Sequence, residues 1–125
     1  MKDGLKEINE MLGVWGSLIC DNQGAIVEDI TPPALNKASL ENVSRHFLEM
    51  LDTLGKDLEG LDEIVLHYKQ RKIFLVDIHQ ALLIVICTPS VDIPLLRMSV
   101  NVVLTRWQSD PKIQKKFDRI YTERL

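Results

Sequence analysis

The sequence predicts an α/β chain of the α+β kind, with elements in the order helix, strand, strand, helix, strand, strand, strand, helix, followed by one further C-terminal helix. Two observations carry that order. The apolar period is helical near residues 5–12, 40–54 and 93–107 and close to two in the segments between them. Turn and breaker residues fall where the period changes, at Gly13, Asp21-Asn22-Gln23-Gly24, Thr31-Pro32-Pro33 and Thr88-Pro89-Ser90. The 125 residues, 46% hydrophobic and 26% charged, suit one domain with one real core and are too few for two.

Leu5, Ile8, Met11 and Leu12 share one face of the first helix, which runs through Gly13 into a strand ending at Cys20. The turn at 21–24 opens a second apolar run, residues 25–27, so the chain starts as a helix feeding a two-stranded ribbon. Neither Pro32 nor Pro33 can donate to a ladder, so the chain leaves the sheet there. Ser39 is the expected N-cap of the second helix, with Asn42 rather than Glu at the third helical position, an incomplete capping box. Leu40, Val43, Phe47, Met50, Leu51 and Leu54 form its apolar stripe, Glu41, Arg45, Glu49, Asp52 and Lys56 lie opposite, and Gly55 or Gly60 ends it.

From Leu61 the period is two. Ile64, Leu66 and Tyr68 alternate with Glu63, Val65 and His67, as in a strand with one buried face. Turns at Lys69-Gln70 and His79-Gln80 connect it to residues 73–76 and 81–87, giving a three-stranded antiparallel meander. The last strand is apolar on both faces and is expected at the centre, covered on both sides. Asp92 begins the third helix, with Pro94 in its first turn. Ile93, Leu96, Val100, Val103, Leu104 and Trp107 form its main stripe; Leu95, Met98 and Val102 form a second, nearly opposite, so two covered faces are expected. Ser109-Asp110-Pro111 then starts a basic terminal helix whose Ile113, Phe117, Ile120 and Tyr121 share a face.

A net charge of −3 supplies no field that would draw in nucleic acid or an anionic membrane. Charge is uneven, with 5 Lys/Arg against 11 Asp/Glu in residues 1–60 and 6 against 3 in residues 106–125. The opposite ends could attract each other or a partner, or simply be solvated; solvation is the leading reading, since exposed charge pairs contribute little to stability. Cys20 and Cys87 end apolar strands, where a free cysteine acts as a small hydrophobe; a disulfide between them is possible but unneeded. The start, Met1-Lys2-Asp3-Gly4, leads into a charged amphipathic helix rather than a signal peptide, and the longest apolar run, residues 81–87, is far below the roughly 20 residues of a membrane span. A cytoplasmic location is expected, without nucleic-acid or membrane partners.

No residue set composes an active site. There is no GxxxxGK[ST] loop, the serines lack a nucleophile-elbow context, and Asp77 and His79 form only an i,i+2 pair at a turn, so no catalytic residue and no enzyme is expected. His46, His67, His79, Cys20 and Cys87 lack ligand spacing, so neither a metal nor another cofactor is expected. Trp15 and Trp107 are read as packing residues ahead of binding platforms. The polar face of the second helix, Glu41, Arg45, Glu49 and Asp52, is the candidate for partner docking, though a solvated face accounts for it equally well. The terminal helix, with Lys112, Lys115, Lys116 and Arg119 against Ile113, Phe117 and Ile120, suits a partner or a membrane surface, and packing back on its own domain suits it as well.

The opening Leu5-x-x-Ile8, Gly13-Val14-x-Gly16-Ser17-Leu18-Ile19 and Asp21-x-x-Gly24-x-Ile26-Val27, with the later Ile73-Phe74-Leu75, Leu83-Ile84-Val85-Ile86 and Ile93-Pro94-Leu95-Leu96-Arg97, resembles the roadblock family, which includes dynein light chains. The resemblance covers roughly residues 3 to 107. Pro94 and the tail beyond residue 108 depart from the family pattern, which divides the chain into a roadblock-like domain, 1–108, and a helical extension, 109–125. The resemblance implies a two-layer fold with one five-stranded antiparallel sheet. It also implies a homodimer whose long helices lie side by side and whose third strands pair, with Leu48, Met50, Leu51, Ile64, Val65, Leu66 and His67 at the interface. As a member of that family the chain is expected to be a non-catalytic regulator or scaffold that binds a Ras-like small GTPase and modulates its nucleotide cycle, with Arg45 and Arg97 as the arginines to test in stimulated hydrolysis. The alternative is a structural adaptor of a motor or signalling complex acting only through dimerisation and peptide binding. A small-ligand sensor with a pocket between sheet and helix is the third reading.

Overall fold

The computed structural model describes residues 1–55 and 62–123 of the chain. Its elements are α1 (Lys2–Asn9), β1 (Val14–Cys20), β2 (Ile26–Ile30), α2 (Lys37–Gly55), β3 (Glu63–His67), β4 (Lys72–Asp77), β5 (Leu82–Cys87), α3 (Ile93–Gln108) and α4 (Pro111–Glu123). The strands form one antiparallel five-stranded sheet, as the resemblance implies, in the order β2-β1-β5-β4-β3, which places β5 at the centre. All six residues of β5 are buried, which is why this strand carries no polar side chain.

The register defines two ends of the sheet. Val14 and Lys72 both pair with Cys87 at the end that carries the β3–β4 hairpin. Cys20 and Asp77 both pair with Leu82 at the other end, which carries the β1–β2 turn. That turn is closed by Asp21, whose carboxylate accepts from the backbone N–H of Gln23 (2.9 Å) and Ala25 (3.0 Å), while Gly24 adopts φ +87°.

Alternating side chains send the sheet's apolar residues to two clusters. On one face Ile19, Phe74, Leu83 and Val85 meet Leu5 and Ile8 of α1, Leu96, Val100, Val103 and Trp107 of α3, and Phe117 of α4. On the other, Leu18, Leu75, Leu82 and Ile84 meet Leu40 and Phe47 of α2. The sheet therefore lies between α2 and a layer of three helices. Asn9 ties α1 down by donating to the Ile30 carbonyl (2.9 Å) and accepting from the buried Ser17 hydroxyl (2.7 Å). Cys20 and Cys87 belong to opposite clusters, and both are free thiols.

The structure amends several expectations. The N-cap of α2 is Asn36, whose side chain accepts from the Ser39 N–H at 2.8 Å; Ser39 lies inside the first turn. α1 ends at Asn9, and Leu12 is 93% exposed, because the chain turns before Gly13 (φ +93°) and carries Leu12 off the packed face. β3 does not bury one face only: Val65 packs on the cluster under α3 and Leu66 on the cluster under α2, each half-buried. The second stripe of α3 is uncovered by the described residues, with Leu95, Met98 and Val102 each more than half exposed. Asp92 caps α3 as expected, accepting from the Leu95 N–H at 3.1 Å. The placements expected for Lys56, Gly60 and Leu61 lie outside the described residues.

α4 folds back on the domain. Phe117 is 1% exposed and stacks obliquely on Trp107 with ring centroids 6.1 Å apart. The Gln114 amide donates to the Trp107 carbonyl (2.8 Å), and Lys116 reaches Glu28 of β2 at 3.9 Å.

Candidate functional site

β3 stands at the edge of the sheet, pairing with β4 on one side only. Its sequence, Glu63-Ile64-Val65-Leu66-His67, contains no proline, glycine or lysine, and Glu63 is its one charged side chain other than the terminal histidine. Ile64, Val65 and Leu66 are half-buried and His67 is exposed. Arg97 of α3 pairs with Glu63, fixing the start of this strand against the helix. That ion pair occupies the Arg97 head.

α2 lies over the sheet with Leu40 and Phe47 against Leu18, Leu75, Leu82 and Ile84. Leu48, Met50 and Leu51 are half-buried against the α2-side cluster. Of the polar residues, Arg45, Glu49 and Asp52 are exposed and Glu41 is half-buried. The Arg45 stem lies over the β1–β2 turn, where a Cβ built on Gly24 would come 2.5 Å from its Cγ. Its guanidinium donates to Asn42 one turn back (2.5 Å), so the head is held along the helix and not projected as a finger. Glu41, Glu49 and Asp52 make no ion pair among the described residues.

Beside α2, at the hairpin end, the sheet is left open by a cleft of about 310 Å³. Trp15, Leu40, Val43, Phe47, Tyr68 and Ile73 line it, and its walls are almost wholly apolar. Trp15 is therefore not a core residue: it is partly exposed at the lip, with the Arg71 guanidinium 4.4 Å over its ring. Trp107, by contrast, is buried as expected. The sequence reading missed Tyr68 and Arg71 as wall residues. The signal in reach was an aromatic placed just past the end of a strand, where the turn would leave it without a covering neighbour.

The remaining candidates do structural work. His79 takes φ +72° in the β4–β5 turn, and its backbone N–H donates to the Asp77 carboxylate at 2.8 Å, which accounts for the Asp77/His79 pair without catalysis. The His79 ring stands 4.0 Å from Asp62, both exposed. Among the described residues no His, Cys, Asp and Glu cluster could hold a metal ion. Burial pushes the thiols of Cys20 and Cys87 up to about 11, so both are protonated at neutral pH and poor nucleophiles. No described helix is long and apolar enough to cross a membrane.

No protein-family model matches the sequence, and no curated protein does. Solved structures do match. The Roadblock/LC7 domain from Streptomyces avermitilis aligns with a TM-score of 0.74 at 9% identity, over 87% of this chain and 95% of that one. The gliding protein MglB from Thermus thermophilus aligns at 0.63 and 15% identity, over 97% of this chain and 87% of that one, leaving out too few residues to omit α4. MglC from Myxococcus xanthus aligns at 0.58 and 11% identity, over 97% and 96%. At such identities the likeness is one of fold: the chain has the fold of the Roadblock/LC7 and MglB structures.

Proposed function

We propose that the protein is a non-catalytic homodimer that binds a Ras-like small GTPase and modulates its nucleotide cycle. The observation that carries the reading is the β3 strand, which stands at the sheet edge among the described residues with aliphatic residues half-buried on both faces, on a fold like that of the Roadblock/LC7 structures. A strand with free N–H and C=O groups and half-buried aliphatic residues on both faces is an aggregation hazard until another strand pairs with it. An identical strand from a second copy pairs with it in a closed two-fold arrangement. Ile64, Val65, Leu66 and His67 supply that pairing, with Leu48, Met50 and Leu51 of α2 beside it.

The GTPase would meet the outer face of α2, where Glu41, Arg45, Glu49 and Asp52 are free of ion pairs with the described residues. Support for this role comes from the likeness in fold to the gliding protein MglB and to MglC. Stimulated hydrolysis would come from positioning the GTPase's own switch residues, since Arg45 is held along its helix and Arg97 is engaged by Glu63.

Affinity capture with the purified protein, with GTP or GDP added in parallel, tests the proposal. Retention of a small GTPase that depends on the nucleotide supports it, and Arg45→Ala then asks whether that side chain acts in binding or in hydrolysis. Recovery of a nucleotide-indifferent assembly bound through an extended peptide would replace it with the adaptor reading.

A further inference from the structure

We propose that Glu63 and His67 set the register in which β3 pairs with a second copy of this chain: each His67 meets the Glu63 carboxylate of the other copy, and association strengthens as the imidazole takes up a proton. The inference rests on the homodimer reading and adds to it the register, the two residues that select it and its control by pH.

The hydrogen bonds of the β3–β4 ladder fix which groups the free edge presents. Asp77 donates to the Asp62 carbonyl and Tyr68 to the Arg71 carbonyl, each at 2.8 Å. Both bonds join residues directly opposite in the register that pairs Glu63 with Val76 and His67 with Lys72. In an antiparallel ladder such pairs alternate with pairs that turn their N–H and C=O groups away. The even-numbered residues of β3 therefore bond to β4, and Glu63, Val65 and His67 turn their backbone groups to the open edge. A two-fold pairing centred on Val65 satisfies all three, with Val65 against Val65 and Glu63 against His67. A pairing centred on Ile64 or Leu66 satisfies only two of them within the strand. The other edge is no rival, because β2 joins β1 through a bulge and its Ile30 carbonyl accepts from Asn9.

Charge selects the same register. Val65 belongs to the cluster under α3, and Glu63 and His67, two residues to either side, share its face. The two-fold axis is perpendicular to the sheet, so both copies present these residues on that face. Directly opposed side chains start about 5.5 Å apart, within reach of an ion pair. Arg97 engages Oε1 of Glu63, and Oε2 accepts no hydrogen bond from the described residues. His67 is exposed and makes no ion pair among them. Lys72 across β4 and Lys69 in the following turn are its charged neighbours in the single chain, and they are the same in the dimer. Association brings Glu63 of the other copy, with Arg97 already bound to it. Carboxylates are ionised throughout the range in which an imidazole titrates. The protonated imidazole thus gains a partner only in the dimer, so the dimer is strongest where His67 is charged and weakens as pH rises and the proton leaves.

Sedimentation equilibrium at pH 6 and pH 8 on the wild type, His67→Gln, Glu63→Gln and the double variant tests this. His67→Gln retains the background pH dependence set by His46, His79 and the net charge of −3. Beyond that background the wild-type dimer is expected to be about 5-fold tighter at pH 6 than at pH 8, from two opposed pairs. Glu63→Gln loses the same component, and the double variant loses no more. Far-UV circular dichroism and a thermal melt establish that the variants are folded. Amide exchange resolved by residue supplies a second readout: association slows the N–H groups of Glu63, Val65 and His67 together. A wild-type dimer whose pH dependence matches that of His67→Gln, or that protects only two of those N–H groups, overturns the inference and leaves the homodimer standing. A component that survives Glu63→Gln overturns it as well. A wild-type monomer at both pH values overturns the homodimer and the register together.

Discussion

The two faces of the sheet are built from the same five strands and are finished differently. Under α1, α3 and α4 the strands meet three helices that interlock to contact distance: a Cβ on Gly4 would come 2.6 Å from the Trp107 ring, and Phe117 fills the space beside that ring. Under α2 a single helix covers a sheet wide enough for more, and the uncovered part is the apolar cleft at the hairpin end. The difference follows from helix count, since one helix about 10 Å across cannot roof a five-stranded sheet. The first face is closed by its own chain, and the second retains exposed apolar surface.

Substitutions on the two faces are expected to separate these roles. The largest loss is expected from Phe117→Ala, at about 3–5 kcal/mol by denaturant unfolding, because the ring is wholly buried between α4 and Trp107. A loss under 1 kcal/mol would mean that α4 is a docked appendage and that the three-helix face is closed by α1 and α3 alone. Gly4→Ala is next, at roughly 2 kcal/mol, since the added methyl overlaps the indole and either α1 or α3 must shift. Thermal melts that leave Gly4→Ala unchanged would contradict the tight packing assigned to this face.

On the α2 face, Asn36→Ala is expected to cost about 1 kcal/mol through loss of the helix cap, and Ser39→Ala close to nothing. The reverse order would return the cap to Ser39. The smallest effect concerns the thiols, one on each face. Both have folded-state pKa values raised by burial from about 9 to about 11, so their contribution to stability is complete below pH 9 and declines as pH rises toward 11. Comparing the wild type with Cys20→Ala and with Cys87→Ala over that range isolates each thiol. A slope the same in all three proteins would remove the cysteines as its cause. Labelling by a thiol reagent at pH 8 is likewise expected to follow global unfolding, not to precede it.

Much of the α1/α3/α4 face was legible in residue order. Period and breakers located every strand, Asp92 announced the start of α3, and the unbroken apolar run at 82–87 identified the central strand. Legibility failed where the deciding contact is remote. Ser39 and Asn36 are both good caps in isolation, and the entry angle of α2 selects between them. Leu12 fits the period of α1, yet the helix ends three residues earlier because Gly13 must approach Val91. The stripe of Leu95, Met98 and Val102 reads as a second buried face, but nothing within the described chain reaches it.

For the candidate site the division is similar. The polar residues of α2 and the aliphatic residues of β3 are visible as types and spacings. The cleft is not visible, because Trp15, Val43 and Tyr68 belong to three elements that the order β2-β1-β5-β4-β3 brings to one end of the sheet.

By itself the sequence determined the identity and order of the elements, since these depend on periodicity and on local turn and cap chemistry carried by neighbouring residues. Only the tertiary structure decided which helices share a face, which thiol lies on which side and where apolar surface is left uncovered. Those outcomes depend on how a finite number of helices is divided between two faces of one sheet, and no local pattern encodes that division.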